Sequence, residues 1–245
     1  MVIDILTLFP EMFSPLEYSI IKRARDKDII KINLYNIRDF TLDKHNRVDD
    51  YPYGGGSGMV MMADPIYRAM EHICRDKIKK PRTILMTPGG EKFNQGTAKE
   101  LAKEEELIFI CGHYEGIDER IMTLIDCQVS IGDYVITGGE LAAMVVIDSV
   151  SRMVPGVLSS KESYEEESFF DGLLEYPQYT RPEIYRDMKV PEVLLSGHHE
   201  NVNKWRRYQS LKKTYRLRPD LIDYGKLSDK DKKMLLDIEN EEQDI

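Results

Sequence analysis

Apolar runs and amphipathic stretches alternate along the first 155 residues. Val2–Leu8 is nearly all apolar and reads as a buried strand. Ser14–Lys27 has its apolar positions at helical spacing and predicts one amphipathic helix. Ile29–Tyr35, rich in β-branched residues, predicts a second strand. Asp39–Gly58 is polar and Gly-rich and reads as a loop. Asp64 followed by Pro65 predicts a capped helix start, with the helix running to about Cys74. Arg82–Met86, Leu107–Cys111 and Cys127–Ile131 read as strands. Asn94–Glu104, Ile117–Ile125 and Gly138–Arg152 read as helices, the last stopped by Pro155-Gly156. Strands alternating with helices predict an α/β fold with a mostly parallel sheet. The run LAAMVVIDSV is apolar nearly all round, which predicts a buried helix, one face of it against a partner subunit.

The pattern changes after Leu158. Residues 159–172 open with SSKESYEEESFF, which has neither helical nor strand period and predicts a mobile linker between a domain 1–158 and a domain 173–245. The second domain begins with Pro-containing segments, EYPQYTRPEIY and KVPEVLLSG, that read as extended. A long helix from about His198 and a shorter one near Ser228–Glu239 make it mainly helical.

Charge and cysteine usage narrow the class. The net charge of −9 means that any polyanion must be met by a local basic patch. Cys74, Cys111 and Cys127 fit neither a disulfide framework nor a CxxC motif, so a reducing, cytoplasmic setting is expected. The opening MVIDILTLFPEMF lacks a basic n-region, which argues against a signal peptide. Leu141–Ile147 is far shorter than the roughly 20 residues of a membrane span.

The sequence has no Walker loop, no GxGxxG after a strand and no zinc spacing. His198, His199 and Glu200 are adjacent, so their side chains diverge on a helix. Three glycine-bearing loops follow predicted strands: Thr87–Gln95, Cys111–Arg120 and Ser130–Glu140. They read either as tight turns or as three walls of one pocket at the carboxyl ends of the strands. The third has no Lys or Arg beside its glycines, which suits a ligand held by backbone groups better than a triphosphate.

CGHYEGIDER, IGDYVITGGE and DSVSRMVPGVL, together with YPYGGGSGMVM and DGLLEYPQYTRP, resemble signature segments of the bacterial tRNA (guanine-N1)-methyltransferase family, TrmD. The opening IDILTLFPEMF and the segment LLSGHHENVNKWRRYQSLKKTYRLRP are similar to it as well. The resemblance implies a SPOUT-class fold with a deep trefoil knot and a homodimer with its active site at the subunit interface. It implies methyl transfer from S-adenosylmethionine to N1 of the guanosine at position 37 of tRNA. It places the methyl donor against Pro88, Gly112, Tyr114, Glu115, Gly116, Ile131, Gly132, Asp133, Tyr134, Val135, Ile136, Gly138 and Gly139. His113 stands where many relatives have arginine. The resemblance also brings a link to magnesium, for which the sequence itself predicts no site. The implied partners are tRNA and a second copy of the chain, not DNA or a membrane.

The chemistry says what else to look for. N1 of guanine carries a proton at neutral pH, and its removal puts negative charge on O6, so one base and one cation are the minimal set. The resemblance puts these roles on Asp171 and Arg152. Phe169 and Phe170 beside Asp171 suggest an apolar setting that would favour a protonatable carboxyl. Read from spacing alone, Asp171 is equally a linker residue or a cap, and Arg152 a favourable charge at a helix C-terminus. His198–Arg218 holds Lys204, Arg206, Arg207, Lys212 and Lys213, with Val202, Trp205, Tyr208, Leu211 and Tyr215 on a packing face. Those cations are candidate phosphate contacts, and His45 and Asp50 are candidate readers of a loop base. GGGSG at 54–58 reads as a turn or as a backbone cradle near the RNA. Ribose methylation, a different RNA target and a non-catalytic RNA-binding dimer remain open alternatives.

Overall fold

The computed structural model describes residues 1–158, 164 and 167–243. The chain divides into two compact units, Met1–Lys161 and Glu162–Ile245. The first unit holds the strands β1 (Val2–Thr7), β2 (Lys31–Asn36), β3 (Asp49–Asp50), β4 (Val60–Met61), β5 (Arg82–Lys92), β6 (Glu106–Cys111) and β7 (Cys127–Ser130). Its helices are α1 (Ser19–Asp26), α2 (Ala63–Cys74), α3 (Gln95–Leu101) and α4 (Glu140–Met153). Five strands form one sheet in the order β2-β1-β6-β5-β7, and all neighbours are parallel. The α/β class with a parallel sheet is therefore as expected.

Successive side chains of a strand leave on opposite faces, so one apolar run supplies two cores. Ile3, Ile5, Leu107 and Phe109 enter a cluster with Ala24 of α1 and Ile147 of α4. Leu6, Ile108 and Ile110 enter the other, with Ile66 and Ala69 of α2. β1 and β6 are buried beyond their first residues, which is why neither shows a polar alternation. Asp4 is buried inside β1 and would be costly unpaired. It accepts a hydrogen bond from Asn33 at 2.7 Å and pairs with Lys77 at 2.9 Å.

Several boundaries differ from expectation for local reasons. Ser14–Lys27 is not one helix: a 3-10 helix spans Pro10–Glu17, and α1 follows after a break at Tyr18. Pro15 lies within the 3-10 segment, lacking an N–H to continue an α-ladder, and Ser19 has a φ of 57°. Asp64 is not a cap. Helix α2 starts at Ala63 after Met62, without a side-chain cap, and Asp64 pairs with Arg68 one turn on at 2.8 Å. Ile117–Ile125 is 3-10 helix only at Glu119–Leu124, capped by Asp118. β5 continues past Met86 to Lys92, with its register on β7 shifting between Met86 and Glu91.

The second unit holds strands β8 (Ile184–Tyr185) and β9 (Met188–Lys189) and helices α5 (Glu192–Leu195), α6 (His199–Leu217) and α7 (Asp229–Gln243). The strands form a hairpin whose two turn residues, Arg186 and Asp187, have φ of 50° and 63°, as a type I′ turn needs. KVPEVLLSG was expected to be extended, but Pro191 opens the short helix α5. The core of this unit is Leu173, Leu211, Leu227, Leu235 and Ile238. The expected linker lies partly outside the described residues. From Glu167 on, the chain is tied down by hydrogen bonds from Phe169 N–H to the Leu173 carbonyl at 2.7 Å and from Glu175 N–H to Ser168 at 3.0 Å. Among the described residues, no helix is long and apolar enough to cross a membrane.

Candidate active site

The glycine loops converge. Strand β5 and the loops after β6 and β7 enclose a cavity of about 370 Å³, within the size range of small-molecule sites. Pro88, expected in a loop, lines it from within β5; Gly112, Tyr114, Glu115 and Gly116 line it from the loop after β6, and Ile131, Gly132, Tyr134, Val135, Ile136, Gly138 and Gly139 from the loop after β7. Of the residues expected at the methyl donor, only Asp133 is not in the lining. Its side chain turns outward to Lys92, at 2.5 Å, and is 77% exposed. Met86, His113, Ile117, Met122 and Thr137 also line the cavity and went unnoticed or unassigned as wall residues. Their signal is weak in a sequence, because none carries a motif of its own.

Backbone contacts fix how the loops meet. His113 and Gly138 form an antiparallel bridge, and Gly139 N–H donates to the Gly112 carbonyl at 2.8 Å. A side chain on Gly139 would sit 2.9 Å from Cys111 Cα, so glycine is required there for close approach. Gly90 packs equally tightly on the Gln128–Val129 backbone, which lets β5 run on beside β7. The GGGSG turn also reaches this site: Gly58 packs against Glu115, and Glu115 N–H donates to the Met59 carbonyl at 3.1 Å. Tyr114 holds a φ of 60°, unusual for a residue with a side chain and characteristic of ligand loops.

The wall is acidic. Glu115 and Glu119 line the cavity, and no Lys or Arg does. Such a wall favours a cationic or neutral ligand and disfavours a polyphosphate. Behind it, Glu140 is 1% exposed and accepts the Thr7 hydroxyl hydrogen at 2.8 Å. Burial, with the Glu140 charge adding, pushes the Cys111 thiol well above its ordinary range, so this cysteine is no nucleophile.

Arg152 stands in the last turn of α4, half-buried, and is not part of the cavity lining. Helix α4 buries Ala143, Val146, Ile147 and Val150 within the unit, and Leu141 and Val145 on it are each 48% exposed in the single chain. Asp171 lies in the second unit. Its carboxylate does not sit among Phe169 and Phe170 as expected: it is 48% exposed and meets the Arg207 guanidinium at 2.5 Å. The other carboxylate oxygen accepts Leu173 N–H at 3.2 Å. Just beyond, α6 grips the backbone at Leu174, whose N–H donates to Thr214 at 2.9 Å and whose carbonyl accepts from Ser210 at 2.5 Å.

The basic helix is less open than its sequence suggests. Arg207 chelates Asp231, Lys212 pairs with Glu241 at 2.6 Å, and Arg216 pairs with Glu242 at 2.5 Å. Arg206 lies over the Tyr176 ring at 4.7 Å. Lys204 is exposed and Lys213 half-buried. Hydrogen bonding to Asp231, helped by Asp171, raises the Arg207 pKa against its burial, and Arg207 in turn lowers that of Asp231. His45 and Asp50 are both exposed, His45 on the loop before β3, where Asp43 accepts His45 N–H at 2.8 Å, and Asp50 in β3, paired with Val60 of β4. Arg47 holds the Asp43 carboxyl at about 2. Among the described residues, no three His, Cys, Asp or Glu side chains gather as a metal site would need.

The chain matches known proteins along almost its whole length. A family model described as tRNA (Guanine-1)-methyltransferase TrmD covers residues 1–224. A curated tRNA (guanine-N(1)-)-methyltransferase of Clostridium botulinum (strain Kyoto / Type A2) is 60% identical over 236 residues, covering 96% of this chain and 98% of the relative. Its counterpart in Clostridium novyi (strain NT) is 60% identical over 236 residues, covering 96% and 97%. That of Clostridium kluyveri is 56% identical over 238 residues, covering 97% of each.

Proposed function

The chain belongs to the tRNA (guanine-1)-methyltransferase TrmD family and methylates N1 of guanine in tRNA; we propose that S-adenosylmethionine is the donor and the guanosine at position 37 the acceptor. The observation that carries the donor assignment is the cavity: two glycine-bearing loops beside β5, two carboxylates and no Lys or Arg around about 370 Å³. The donor set fits a sulfonium ligand. Gly112, Gly138 and Gly139 line the cavity without side chains that would exclude a ligand from the backbone, and Glu115 and Glu119 complement a positive charge. The bound donor supplies an activated methyl group, which needs positioning more than acid assistance.

The chain's own residues do the rest. Asp171 takes the N1 proton of guanine, freeing the nitrogen lone pair to attack the methyl carbon. The carbon–nitrogen bond forms as the carbon–sulfur bond breaks, and the proton stays on the carboxyl. Arg152 stabilises the charge that builds on O6. Lys204 and Lys213 meet phosphates, and His45 and Asp50 read the base edge. The contact between the loops after β6 and β7, with Gly90 laid on β7, supports the deep trefoil knot of the SPOUT class. Leu141 and Val145 on α4 support a homodimer, with the active site completed across its interface. A tRNA substrate supports a cytoplasmic location.

Two transcripts that differ only at position 37 test the acceptor. With methyl-labelled S-adenosylmethionine, label enters the guanosine transcript and not the adenosine one. Equal labelling of both would place the acceptor elsewhere.

A further inference from the structure

We infer that Arg207 is a positioning residue for the reaction: it fixes the carboxylate of Asp171 and is itself fixed by Asp231. The inference rests on the reading of Asp171 as the base. Sequence spacing put Arg207 among the phosphate contacts, but its guanidinium turns inward. Nε donates to Asp231 at 2.8 Å and one terminal nitrogen at 3.2 Å, a two-point grip that sets the plane of the fork. The other terminal nitrogen points at Asp171, at 2.5 Å.

Asp231 is a sound anchor. It is 8% exposed, lies in the first turn of α7 and accepts both the N–H and the hydroxyl hydrogen of Ser228, at 3.2 and 2.8 Å. The chain Ser228–Asp231–Arg207–Asp171 therefore runs from a buried helix start to a carboxylate that is half open to solvent. A single exposed ion pair holds little by itself. Here the cation is immobilised first, so the aspartate meets a fixed partner. Leu173 N–H takes the other carboxylate oxygen, and the Leu174 backbone is clamped to α6 by Thr214 and Ser210. Each carboxylate oxygen keeps a further lone pair for a proton. Asp171 also borders a cavity of about 230 Å³ within the second unit, shared with Tyr176, Asn203, Arg206 and Arg207. The held carboxylate thus faces open space.

Steady-state kinetics of Arg207→Gln, Arg207→Lys and Asp231→Asn test the assignment, each with its thermal unfolding. Misplacing a reacting group by about 1 Å costs on the order of 100-fold in rate. Arg207→Gln is expected to lower kcat by roughly 10- to 100-fold, with KM for tRNA and for the methyl donor within about threefold. Lysine restores little, because an ammonium cannot bridge both aspartates in one plane. Asp231→Asn keeps Arg207 but loosens it, gives a smaller loss of the same kind, and stands in if Arg207→Gln does not fold. In an Asp171→Ala background, Arg207→Gln removes nothing more.

A raised KM for tRNA at unchanged kcat, with a shallower salt dependence, would make Arg207 a phosphate contact and overturn the inference. A lower melting temperature with wild-type kinetics would overturn it too, leaving only a structural ion pair. A faster kcat would mean that Arg207 restrains the base instead of positioning it. Full turnover in Asp171→Ala alone would remove the base assignment, and the inference with it. An inactive Asp171→Ala beside a fully active Arg207→Gln would remove only the inference.

Discussion

Asp171→Ala is expected to lower kcat for guanine methylation by about 10²- to 10⁴-fold, the usual contribution of a positioned general base. Asp171 is not among the residues that line the cavity of the first unit, so binding of the methyl donor is expected to stay unchanged. Asp171→Asn makes the test sharper. An asparagine oxygen still accepts Leu173 N–H, so the local turn that holds the segment survives. The amide cannot take a proton from N1, so the rate falls nearly as far as with alanine. Single-turnover kinetics at saturating donor, alongside equilibrium binding of donor and tRNA, separate the chemical step from binding. If Asp171→Asn kept most of the rate, the carboxylate would be an orienting group and the proton would leave by another route.

Gly139→Ala is expected to weaken binding of the methyl donor at least tenfold, about 1.4 kcal/mol. Its φ of −77° suits any residue, so the effect is purely one of space. The added carbon would lie 2.9 Å from Cys111 Cα, 3.0 Å from the Gly112 nitrogen and 3.2 Å from Met86 Cβ. Two of these are backbone atoms that cannot rotate away. The loops must part, which stretches the Gly139–Gly112 hydrogen bond and widens the wall on which the donor rests. Gly89→Ala, in β5, is the control: its Cβ would meet nothing within 4 Å. Calorimetric titration of both variants with the donor, beside their melting temperatures, reads the difference. Equal donor affinity in Gly139→Ala and the native chain would mean that the loops have slack and that the cavity wall is not set by this contact.

The parallel sheet could be read from the chain because β1 and β6 are apolar runs too short and too β-branched for helices. The cavity loops could be read because glycines cluster at strand ends, and of the donor residues that the family resemblance named all but Asp133 line the cavity. The continuation of β5 through Pro88-Gly89-Gly90 could not, since Pro and Gly are the strongest signs that a strand has stopped. Only the backbone of β7 laid against Gly90 makes that stretch a strand.

The second unit was harder for a different reason. The charge of His198–Arg218 was weighed along the segment, where Glu200 is the lone acid. The neutralising carboxylates, Asp231, Glu241 and Glu242, arrive from a helix that begins more than ten residues later. Sequence distance hides that pairing, and with it the inward turn of Arg207. The same blindness applied to Asp171: its aromatic neighbours in sequence are not its partners in space.

The most direct test of the account is the identity of the product. The native protein is incubated with methyl-labelled S-adenosylmethionine and an unmodified tRNA transcript carrying guanosine at position 37. The transcript is then digested and its nucleosides are identified by mass spectrometry. The account predicts 1-methylguanosine as the labelled product. A 2′-O-methylated nucleoside, or label on another base, would contradict it.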